Sequence, residues 1–278
     1  MEVLIQVNVR AQVFPVAALT ACIALAGSST LPAAEVAVRH SEGILHGFLA
    51  LRTLGGTLLA NGDIFQAVRG YQVTSHLVFH FKDGSLHDET TIFSQRDQFR
   101  LVSEHVVQKG PAFPRQLDMT INASTGQVTV RYRDGDGKEE IEDEKLDLPA
   151  DLANGILPVL LKNVTPGTLP STVSYIAATP KPRIVKLALA SSGTDTLSIA
   201  GSSRRATHYV AKVEIGGLAG AMAPLAGKQP PDNHVWIVDD GAPAFLKSEA
   251  PLYVGGPSWR IELTGLASPA IRPIAQSQ

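Results

Sequence analysis

The sequence predicts a mostly β protein of α+β class: one curved antiparallel sheet or half-barrel with a central helix on its concave side. Three observations predict it. Short alternating apolar/polar segments fill most of the chain, and 24 glycines and 18 prolines among 278 residues break them at regular intervals. One stretch near the middle has helical spacing instead. Alternating segments then resume to near the C-terminus.

The first 34 residues differ from the rest. Arg10 is their only basic side chain, Val13 to Gly27 is uncharged and apolar, and small residues follow before Glu35. That is the layout of a secretory signal segment, so the mature chain is expected to be a single domain over 35–278, periplasmic or secreted. An uncleaved anchor is the rival reading, but the run is short for a membrane span. The only cysteine, Cys22, lies in this run after Leu19-Thr20-Ala21, in the manner of a lipidation signal. The apolar run continues past it, which favours a cysteine within the signal over a lipid anchor at Cys22. No later segment is long and apolar enough to cross a membrane as a helix. A mature chain without cysteine has no disulfide and depends on packing for its stability.

Strands are expected from Gly43 to Gln98, with turn signals at Gly55-Gly56, Asn61-Gly62 and Asp83-Gly84. The meander continues through "QFRLVSEHVV", "RQLDMTINA" and "QVTVRYR", and a further turn is expected at Asp134-Gly135-Asp136-Gly137. Asp147 can cap a helix and Pro149 suits its first turn. Leu152, Ile156, Val159 and Leu160 then share one face, while Gly155 and Pro158 predict a short or kinked helix. Seven strand segments follow, from "TVSYIAAT" to "SWRIEL". In one of them Tyr209, Ala211, Val213 and Ile215 share a face opposite His208, Lys212 and Glu214.

Several chemistries lack their signatures. There is no nucleophile elbow, no zincin motif, no phosphate-binding loop and no dinucleotide fingerprint. A formal charge of −2 leaves no basic footprint for nucleic acid. No cofactor is implied. The densest polar cluster surrounds Asp83-Gly84. With a two-residue turn, His80 faces His87, and His76 and Glu89 share their face, which would be an acceptable zinc set. With a three-residue loop the register shifts and the set dissolves. The hairpin reads first as a solvated polar face, and an envelope hydrolase or metal-dependent enzyme using it is the alternative.

The apolar stretch Gly217–Gly227 leads through a proline-rich break into "HVWIV". Leu218, Met222, Leu225 and Trp236 are the candidate ligand contacts, as a lid over an apolar cavity or a surface touching lipid. The alternative is a connection packed on the core. The signal segment, the strand-rich first half, the central helix and the late "VWI…GAPAFLKSE" hairpin together resemble the periplasmic LolA/LolB-like superfamily and its uncharacterised envelope relatives. That resemblance implies an incomplete β-barrel closed by helices around an apolar cavity. Its LolA-like members carry lipoproteins across the periplasm, and their carrier-specific residues have no match here. The expectation is a non-enzymatic exported protein that binds a lipid or other apolar ligand in a half-barrel. A scaffold docking another envelope protein through a sheet edge is the remaining alternative.

Overall fold

A computed structural model describes residues 36–169, 171–179, 181–199, 202–214, 229–239 and 241–266. The first eight strands are β1 (Leu45–Thr53), β2 (Leu58–Arg69), β3 (Gln72–Phe81), β4 (Leu86–Gln95), β5 (Phe99–Lys109), β6 (Gln116–Asn122), β7 (Gln127–Arg133) and β8 (Glu139–Lys145). After a connection carrying α1 (Leu157–Asn163) come β9 (Ser171–Ala177), β10 (Arg183–Ile199), β11 (Ser202–Glu214), β12 (Asn233–Val238), β13 (Ala244–Pro251) and β14 (Ser258–Leu266).

All fourteen described strands join one antiparallel sheet. Its order runs from β8 back to β1, then from β14 back to β9. Each strand therefore pairs with its neighbour in the chain, and β1 pairs with β14 to link the two halves. The sheet is curved and not closed: β8 and β9 are its two edges. Strand β9 is nevertheless buried on both faces, with Val173, Ser174 and Ile176 all fully covered. Its Val173 joins one core cluster with Leu187, Leu189 and Tyr209, while Ile176 packs with Leu117, Met119, Ile121, Val128 and Val130 of β6 and β7. An edge strand covered on both sides means that the sheet rolls over itself there. Its free ladder is paired at Ser174, whose amide donates to Asp151 O and whose carbonyl accepts from the Ala153 amide.

The helix is shorter than the capping signals predict. It begins at Leu157, ten residues after Asp147, with Pro158 in its first turn and no side-chain cap. Gly155 stops it from starting earlier: its φ is +64°, and a Cβ there would collide with Thr91 Oγ1. The four residues assigned to one face are still all buried. Ile156, Val159 and Leu160 pack with Val73, Phe93 and Phe99 on one side of the chain order and Val173, Leu187, Tyr209 and Ile237 on the other. Leu152 instead forms a parallel bridge to Ser174. Two predicted strands, "RIVKLALA" and "DTLSIAG", are one long β10, whose register shifts between Ser191 and Thr194.

Candidate functional site: a polar wall inside the sheet

The Asp83-Gly84 turn decides which histidines face inward. It is a three-residue loop: the Phe81 amide donates to Ser85 O at 2.9 Å, and Gly84 takes φ +85°. His80 consequently pairs with Leu86, and Phe79 with His87. His76 and His80 project from the outer face, whereas His87 is buried inside with only 2% of its surface exposed. The set that a two-residue turn would have gathered is thus divided between two faces. Among the described residues no group of three metal-ligating side chains forms. His76 instead bonds Asp88 at 2.9 Å on the outside, and the same diagonal recurs as His46–Asp63 and His105–Asp118, each at 3.0 Å. These pairs are open to water and add little stability.

Three neighbouring rungs of the inner face carry the polar groups. One runs Phe79–His87–Gln108–Leu117, the next Ile64–Leu77–Glu89–Val106–Met119, and the third Gln66–Ser75–Thr91–Glu104–Ile121. Residues on one face of adjacent strands sit within side-chain reach, directly or diagonally. Glu89 and Glu104 are such diagonal neighbours. Most of the outer two rungs is buried, whereas Ile64, Leu77 and Glu89 in the middle rung are only half-buried. Apolar surface facing the interior therefore stays partly uncovered beside a carboxylate.

Hydrogen bonds account for only part of this wall. Gln108 Nε2 donates to Leu252 O at 2.7 Å and lies 3.1 Å from His87 Nδ1. The Leu252 carbonyl fixes the amide group toward it, so Nδ1 is the acceptor and the ring hydrogen sits on Nε2. That Nε2 has no hydrogen-bond partner and faces Glu89 Oε2 at 3.5 Å. Gln66 Oε1 is also buried without a partner. Glu104 accepts one bond from Asn154 Nδ2 at 3.3 Å, and Thr91 Oγ1 donates to Glu89 Oε1 at 3.3 Å. Burial, with Glu89 adding to it, holds Glu104 well above the usual carboxylate range despite the Asn154 bond. Burial likewise raises the Tyr175 phenol of β9, and the nearness of Glu104 and Glu89 raises it further. Perturbed acids converging on an interior wall are the usual mark of a ligand or reaction site.

A second polar group serves the fold. Ser174 Oγ donates to Asp151 Oδ1 at 2.6 Å, and Lys186 Nζ donates to both Ser174 Oγ at 2.7 Å and Asp151 Oδ2 at 3.1 Å. A serine beside a lysine suggests a nucleophile. This one is fully buried and its hydroxyl is committed to Asp151. The group ties residues 151–153 to β9, where the Ala153 amide also bonds Ser174 O.

Of the four sequence-derived ligand contacts, Leu218, Met222 and Leu225 lie outside the described residues. Trp236 is described and lies on the face of β12 opposite Val235 and Ile237, which belong to the cluster around α1. His208 stacks on its ring at 4.2 Å, Lys247 Nζ sits 3.9 Å from the ring centroid, and its Nε1 donates to Asp195 at 2.6 Å. His208 in turn bonds His234 at 2.9 Å; burial and the neighbouring His234 lower its pKa. Two clefts open near Asp239: one of about 180 Å³ over Tyr209 and Leu161, and a polar one of about 480 Å³ beside Arg205.

The interior acids are legible only once the register is known. Residue spacing alone places Glu89 with the histidines and singles out nothing at Glu104 in "LVSEHVV". No family model matches the chain, and no curated protein matches it. Among solved structures the chain is similar to the crystal structure of a beta-barrel-like protein of domain of unknown function DUF1849 from Brucella abortus. The identity is 11% and the TM-score 0.45, over 81% of this chain and 97% of that one.

Proposed function

We propose that residues 35–278 form a single exported domain, periplasmic or secreted, that binds a lipid or another apolar small molecule and catalyses no reaction. The observation that carries this reading is the middle inner rung. Ile64 and Leu77 face the interior of a rolled sheet and are only half-buried, on a wall where His87 Nε2 and Gln66 Oε1 have no hydrogen-bond partner. A concave site with apolar surface and a few fixed polar groups is the usual form of a small-molecule pocket. Transfer of an apolar guest from water onto that surface supplies the affinity.

In this reading α1 lies on the concave side and closes the interior between the two halves of the sheet. Leu218, Met222 and Leu225 supply apolar contacts to the ligand in this reading. Trp236 acts through β12, holding Val235 and Ile237 against the core. The layout shared with LolA/LolB-like proteins supports the same architecture and location.

Native mass spectrometry of the protein purified without detergent tests the reading. An apolar molecule copurifying in a fixed ratio is the expected result. Clean protein with no affinity for short-chain apolar probes would refute it.

A further inference from the structure

We infer that the interior site accepts the charged head of an organic ammonium ion, held between Glu89 and Glu104. The inference rests on the binding function proposed above and names the ligand class.

Two inward-facing carboxyl groups lie diagonally adjacent on β4 and β5. Among the described residues neither is paired with a lysine or arginine. The bases of the fold are engaged elsewhere: Lys186 with Asp151, Lys162 with Glu42, and Arg260 with Glu249. Buried acids are normally matched by a cation or by a full set of donors. Here each carboxyl group receives one long hydrogen bond, at 3.3 Å.

Two further buried atoms on the same wall have nothing to bond. His87 Nε2 points at Glu89 across 3.5 Å, a gap wider than a well-formed hydrogen bond, and Gln66 Oε1 is an unmatched acceptor one rung away. His87 is 2% exposed and Gln66 4%, so neither is satisfied by bulk water. His87 Nε2 is a donor, but two carboxyl groups that each receive one bond and an unmatched Gln66 Oε1 still leave acceptors in excess of donors on the wall. An ammonium group brings donors and no acceptor, together with the missing positive charge. Beside the acids, Ile64 and Leu77 offer half-covered apolar surface for the carbon chain. The groups facing Glu104 are Glu89 and, from β9, Tyr175, with Asn154 as its donor. Seating a cation there favours ionisation of Glu104, so binding releases protons.

Titration calorimetry with hexylammonium, 1-hexanol and hexanoate tests this on the full chain and on E89Q and E104Q. Hexylammonium binds tightest and releases protons, seen as a buffer-dependent heat, and each variant weakens it by about tenfold or more, as expected for a hydrogen bond to a charged group. The variants keep their affinity for 1-hexanol, which shows that the apolar surface is intact. Equal binding of all three probes, or loss of 1-hexanol along with hexylammonium in the variants, overturns the ammonium site and leaves the binding function standing. No binding of any probe overturns both, with water as the only occupant of the wall.

Discussion

Glu104 shows how one buried side chain ties stability to pH. Burial raises its folded pKa well above the unfolded value of 4.5. A carboxyl group raised in this way favours the folded state fully only below the unfolded pKa, and the contribution is lost as pH rises toward the folded value. E104Q keeps an acceptor for Asn154 and removes the ionisable group. Its melting temperature is expected to match the parent near pH 4.5 and to exceed it increasingly above. A thermal melt series over about pH 4 to 8 checks this, and a gap that stays constant across the series contradicts it. Asn163 works without charge. Its Oδ1 accepts from the amides of Arg39 and His40, and its Nδ2 donates to Val159 O and His40 O. The side chain is 3% exposed and pins the entering chain to the end of α1. Asn163→Ala orphans these groups, and denaturant melts are expected to show a loss of roughly 1–3 kcal/mol.

At the scale of elements, the connection between β8 and β9 carries the most consequence. Gly155 turns the chain at a φ of +64° directly against Thr91 of the polar wall. Gly155→Ala would meet both backbone strain and a collision, so a destabilisation of about 1–3 kcal/mol is expected by chemical denaturation. Most strands are legible in the sequence because alternation survives in the burial pattern, as in β6, where Leu117, Met119 and Ile121 alternate inward. The helix start is not, because Asp147 and Pro149 carry good capping chemistry that the local glycine overrides. The interior site is not legible either. Which of His76, His80 and His87 faces inward depends on one residue of loop length at Asp83-Gly84, and a shift by one exchanges the faces of the whole strand. Trp236 lies on the face of β12 opposite Val235 and Ile237, where it packs with Ala206, Val238 and Leu246.

Over the whole molecule, the open sheet must manage two edges. Edge β9 is buried by the roll of the sheet. Edge β8 stays outside and reads Glu139-Glu140-Ile141-Glu142-Asp143-Glu144-Lys145. Charges on an edge discourage another chain from adding a strand. Ile141 is 50% exposed among them and would be adhesive without that protection. Replacing Glu139, Glu142 and Asp143 with threonine is expected to make the protein self-associate, as light scattering after size-exclusion chromatography would show. A chain that stays at its parent size would mean that another feature guards this edge. A ligand site inside the rolled sheet requires space that a guest can enter. Methyl NMR of the full chain during titration with 1-hexanol tests for it most directly. Saturable shifts at the Ile64 and Leu77 methyl groups are the expected result. Shifts confined to outward residues such as Ile44, or none at all, would contradict a ligand site inside the sheet.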